Sequence, residues 1–176
     1  VWPGLPGQSG SAITYFELRP CELRLLPSVI MTPPTIISLA TLSLSNKYFY
    51  YKMFKTSICA EQYLFCINIK KFRTALARFR CSSHNLAVES GRYNQTPRQN
   101  RICLLCNYGD IEDEFHFLLI CPCYSDLRKK YIPYHYIIHP NIQKFFSLIT
   151  TDSNDLIKNL SMFVYYAMLH SKLTIL

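Results

Sequence analysis

The pattern Cys103-x2-Cys106-x9-His116-x4-Cys121 constrains this chain more than any other feature. Two cysteines three apart in a turn can present both sulfurs to one ion. A histidine and a cysteine five apart at the end of a helix can reach the same point from the other side. Three thiolates and one imidazole make the closed tetrahedral set of a structural Zn2+ site. Cys123 competes for the fourth position, but Cys121 is preferred because it lies on the helix side of Pro122. The plainer reading of the same residues is a set of buried free thiols and a helix histidine. A redox pair is a third, but it needs a strand before the first cysteine and a helix opening at it. Here a charged loop precedes and an acidic loop follows. The His and Cys beyond the C-x2-C favour metal. Cys21, Cys59, Cys66 and Cys81 show no paired spacing and are read as buried or idle thiols.

Eight cysteines would also suit a secreted disulfide framework. The chain begins at Val1, its first Met is Met31, and no basic region followed by an apolar run opens it. That beginning reads as a fragment or a poor gene model. The metal reading implies a reduced, intracellular setting, nuclear or cytoplasmic.

Charge is unevenly placed. Residues 47–101 carry eleven Lys and Arg against Glu61 and Glu89, a net +9. Residues 102–126 hold five acids and no Lys or Arg, and residues 127–176 return to +4. The overall +8 is therefore two basic blocks around an acidic insert, which suits a polyanionic partner. The acids at 110 to 114 are read as solvent-facing.

One domain is the prior at 176 residues. The expected fold is mainly α, a small helical domain organised around the CCHC zinc site, with a poorly structured N-terminal region. Residues 1–46, with six prolines, read as irregular and not a domain. The apolar stretch 36–44 is too short to span a bilayer, and no membrane association is expected. Residues 47–130 read as a basic helix plus the zinc module, and 131–176 as a helical segment packing on it. Ser57 is a candidate cap for a helix beginning near Cys59. Leu64, Phe65, Ile69, Phe72, Leu76 and Phe79 recur at helical spacing, so this stretch is one basic amphipathic helix or a broken pair. Residues 82–101 read as loop. Residues 111–121 read as a short helix with an acidic first turn, 125–131 as another, and 155–173 as a terminal helix. The stretch 134–139 reads as a buried strand or helix edge.

Leu76-Ala-Arg-Phe-Arg80, then Ser82-Ser-His-Asn-Leu-Ala-Val-Glu-Ser-Gly-Arg-Tyr93, resembles the segment before the zinc finger near the end of non-LTR (LINE-like) retrotransposon reverse transcriptases. Arg101-Ile-Cys-Leu-Leu-Cys106, with Glu112-Asp-Glu-Phe-His-Phe-Leu-Leu-Ile-Cys-Pro-Cys-Tyr124 and Ser125-Asp-Leu-Arg128, resembles the zinc-binding motif itself. The likeness covers residues 48–176 and is strongest over 79–128. It implies a nucleic-acid-handling accessory module, with Cys103, Cys106, His116 and Cys121 as zinc ligands, partnered with RNA or DNA and with a reverse transcriptase polypeptide.

No pair of carboxylates placed to hold metals for phosphoryl transfer is evident, so the chain is not expected to be an enzyme. The candidate phosphate contacts are Lys70, Lys71, Arg73, Arg78, Arg80, Arg92, Arg98 and Arg101. Tyr93 is the candidate stacking residue, since Phe72 and Phe79 lie on the apolar face. His84 and Glu89 are expected to form a hydrogen-bonded clamp. The alternatives to nucleic-acid binding are a zinc-stabilised protein-interaction module and a retroelement remnant without function.

Overall fold

The structure, a computed structural model, describes residues 47–55 and 59–174. The expectations for residues 1–46 and for Ser57 lie outside the described residues. Eight α-helices are described: α1 (Tyr51–Phe54), α2 (Tyr63–Cys66), α3 (Lys70–Arg80), α4 (Ala87–Tyr93), α5 (Ser125–Tyr131), α6 (Tyr134–Ile137), α7 (Ile142–Ile149) and α8 (Asn154–Thr174). A 3-10 turn spans Arg98–Asn100, and a π-helical turn spans His116–Ile120. The fold is a small, mainly helical domain; the described residues hold no β-strand beyond the bridge between Ile102 and Ile111.

α3 and α8 form the longest packed pair. Phe72, Leu76 and Phe79 fall at i, i+4 and i+7 on α3, so they share one face and are buried. Leu160, Phe163, Val164 and Ala167 supply the buried face of α8. Phe72 meets Tyr165 and Tyr166 at centroid distances of 5.3 and 5.9 Å. Phe117 sits at the centre, 5.4 Å from Phe79, 5.7 Å from Phe163 and 4.8 Å from Tyr124. It thereby joins α3, α8 and the chain leading into α5.

The basic stretch is a broken pair of helices. Ile67 is extended (φ −97°, ψ 101°), and so is Ile69 (φ −81°, ψ 111°). β-Branched residues hold a helix weakly, and Asn68 between them competes for backbone hydrogen bonds. Leu64, Phe65 and Ile69 therefore do not share the face of α3 and are exposed. Residues 82–101 are not all loop. The helix α4 buries Val88 and Glu89, and its polar composition conceals it in the sequence. Between 134 and 139, only Tyr136 is buried.

Candidate metal centre

The site begins as a knuckle. Cys103 N–H donates to the Asp110 carbonyl at 2.9 Å, and Glu112 N–H to the Arg101 carbonyl at 2.9 Å. These bonds fold residues 103–110 into a closed turn carrying Cys103 and Cys106. The other two ligands come from the π turn. In an α-helix at 3.6 residues per turn, residues five apart point about 140° apart. Here Cys121 N–H donates to the His116 carbonyl at 2.8 Å, the i to i+5 bond of a π turn. The wider winding brings His116 and Cys121 toward the same side.

All four ligand atoms lie within 4.8 Å of one another, and all four residues are buried. Cys103 Sγ and Cys121 Sγ are 4.0 Å apart, and Cys106 Sγ and His116 Nε2 are 3.4 Å apart. A tetrahedral zinc ion with standard bond lengths requires edges of about 3.8 Å between sulfurs and about 3.5 Å between sulfur and nitrogen. The donor set and its edges fit a single Zn2+ site. Cys123 is exposed and gives its thiol to the Leu105 carbonyl at 2.7 Å, outside the cluster. Burial pushes the Cys103 and Cys121 thiols up and pulls the His116 imidazole down. The imidazole is thus neutral and ready to ligate, while the thiols need a cation to ionise them. His116 Nδ1 lies 3.5 Å from Asp110 Oδ2, where a carboxylate orients a metal-bound imidazole.

The acids around the site correct the solvent-facing expectation. Asp110 is exposed, but Glu112, Asp113 and Glu114 are buried, each with a partner. Asp113 caps the helix of His116: its Oδ1 accepts the His116 N–H at 3.0 Å. Its Oδ2 accepts from Tyr50 Oη at 2.8 Å and Arg98 Nη2 at 3.0 Å. Glu112 Oε2 accepts the Ala87 N–H at 2.8 Å, tying the knuckle to the start of α4. Burial works to raise the Glu114 carboxyl, but bonds from His84 Nε2 (3.1 Å) and Ser82 Oγ (2.8 Å) hold it below the usual range. His84 acts as a clamp, through Glu114, but Glu89 does not: it pairs with Arg92, three residues on in the same helix α4.

Arg128 is the site residue that charge and spacing did not mark. It is buried, and it donates from Nε to the Leu118 carbonyl at 2.8 Å and from Nη2 to the Cys121 carbonyl at 2.9 Å. It satisfies the carbonyls that the π turn leaves open and brings a cation beside the thiols.

The basic residues separate into two groups. Arg80 is buried, and this corrects its reading as a phosphate contact. It pairs with Glu61 at 2.8 Å, donates to the Ile149 carbonyl and lies over the rings of Phe54 and Tyr63. Arg101 is a strap, with Nε on the Thr96 carbonyl (2.8 Å) and Nη1 on the Val88 carbonyl (2.6 Å). Arg98 is held by Asp113 and the ring of Phe49, Arg92 by Glu89 and the ring of Tyr93. Arg73 is half-buried and donates to the Ile67 carbonyl at 3.0 Å. Lys70, Lys71 and Arg78 are exposed along α3, and Tyr93 is 71% exposed. Among the described residues no helix is long and apolar enough to cross a membrane. In comparisons with known proteins, the chain matches no family model, no curated protein and no solved structure.

Proposed function

We propose that this zinc-organised helical module binds the backbone of RNA or DNA, and that it works by binding and not by catalysis. The observation that carries the reading is the outer face of α3. Lys70, Lys71 and Arg78 stand exposed there, and none is in an ion pair among the described residues. Most other cations of the basic block are engaged: Lys55 and Arg80 by Glu61, Arg92 by Glu89, Arg98 by Asp113. The phosphate-binding role therefore narrows from the whole block to one helix face. Kinship with reverse-transcriptase zinc modules rests on the order of motifs along residues 79–128.

A second reading, a protein-interaction module, is favoured by the knuckle, where Leu104 and Tyr108 are 80% and 62% exposed. Salt separates the two. For the zinc-loaded chain, log affinity for RNA or DNA should fall linearly with log salt. Changing both Lys71→Gln and Arg78→Gln should flatten that slope by about 1.4–1.8, the loss of two phosphate contacts. Arg80→Gln should instead lower stability, because it strips a buried ion pair. Salt-independent affinity, untouched by the double change, would hand the function to the protein-interaction reading.

A further inference from the structure

We propose that the cleft between α3 and the C-terminal half of α8 receives a base of a single-stranded nucleic acid, with the flanking phosphates on Lys70, Lys71 and Arg78. This rests on the nucleic-acid reading above and narrows it to a substrate class and a place. The cleft encloses about 600 Å³, the size of a small-molecule site.

Three features point to this occupant. The rim is cationic, and no Asp or Glu lines the cleft. Lys70 and Arg78 are eight residues apart on one helix, a row about 12 Å long, which is more than one phosphate needs and suits a chain of them. The wall is apolar and aromatic. Tyr165, Met168 and Leu169 line it, and the Lys71 ammonium lies 5.1 Å from the centroid of the Tyr165 ring. A planar ring of any sequence can pack there, because every base has a π-face.

The third feature is His84. Its side chain is 2% exposed, it lines the cleft, and its Nε2 is committed to Glu114. Its Nδ1 is buried and has no hydrogen-bond partner among the described residues. Buried polar atoms are nearly always paired. With the Nε2 N–H given to the carboxylate, Nδ1 is the ring nitrogen left over, placed to hydrogen-bond a polar group on the occupant. Base edges and the ribose hydroxyl both offer one. A duplex hides its ring faces in the stack, so the fit is to a single strand.

The test uses the full zinc-loaded chain and a fluorescent oligouridylate of about 12 nucleotides, within the footprint of single-strand binders. It is compared with an equally charged strand of abasic residues and with a duplex. The intact strand should bind about tenfold more tightly than the abasic one. With 4-thiouridine in the strand, photo-cross-links should fall on the peptides holding His84 or Tyr165 to Leu169. His84→Ala should erase the preference for bases, but it also strips Glu114 of its partner. Leu169→Ala, at an exposed position of the same wall, is the second variant and should weaken the intact strand severalfold with zinc content unchanged.

Equal affinity for intact and abasic strands, or cross-links confined to Tyr93 and the knuckle, overturns the cleft assignment and leaves backbone binding standing. No salt-sensitive affinity for any of the three nucleic acids overturns both. Displacement of the strand by polyglutamate at equal charge would give the cleft to an acidic protein segment.

Discussion

The two ring nitrogens of His116 point to different neighbours. Nε2 faces Cys106 Sγ at 3.4 Å, and Nδ1 faces the carboxylate of Asp110 at 3.5 Å. Its backbone N–H goes to Asp113, so one residue joins the metal site to a helix cap. The choice between Cys121 and Cys123 is also made at this scale. Cys121 is fully buried beside Cys103, whereas Cys123 turns outward. Cys106→Ser and Cys121→Ser should each lower bound zinc, measured by atomic emission, together with the denaturation midpoint. Cys123→Ser should leave the stoichiometry at one zinc per chain. Loss of zinc in that variant would reverse the ligand assignment.

The elements that hold the site are short, and their contacts do the holding. α4 has only seven residues, too few to persist alone. It is kept by Glu112 at its first turn and by the Arg101 strap across it. Gly91 shows how close that strap lies: a Cβ there would meet Arg101 Cγ at 2.7 Å. Gly91→Ala gains about 1 kcal/mol in helix propensity, but crowding costs about 1–3 kcal/mol. We expect a net destabilisation of about 1 kcal/mol, read as a lower urea midpoint with zinc still bound. A rise in midpoint would show that Arg101 can move away freely. Ser82 and His84, on Glu114, and Gly91, beneath Arg101, thus serve as the scaffold of the knuckle.

Across the whole molecule, the metal centre and the hydrophobic core share one piece of chain. Phe117 and Leu118 follow His116 directly and are fully buried in the core. A structural zinc ion contributes about 10–16 kcal/mol to such folds, and a domain's net stability is about 5–15 kcal/mol. Chelation should therefore abolish the cooperative thermal transition of the described domain and not merely loosen the knuckle. An unaltered transition after complete zinc removal would separate core from metal. The pH dependence follows from the thiols. Burial holds Cys103 and Cys121 protonated in the metal-free fold, and zinc needs them ionised. Binding should release about two or three protons, and affinity should rise with pH through the neutral range. Calorimetry in two buffers of different ionisation enthalpy measures that release.

The ligand set was legible in the sequence because metal coordination needs rare residue types at short fixed spacings. The terminal helix and α5 were legible because their apolar positions repeat or their ends are marked. α7 went unmarked, although Asn141 caps it by accepting the Lys144 N–H at 2.9 Å. Burial of acids and arginines was not legible, since a charged side chain gives no local sign of its partner. Arg80 finds Glu61 nineteen residues away, and Glu114 finds His84 at thirty. The sequence by itself determined the helical class and the CCHC ligands, through periodicity and spacing. Only the tertiary structure decided which charges are scaffold and which face solvent, because that choice depends on partners distant in sequence whose pairing offsets the cost of desolvation.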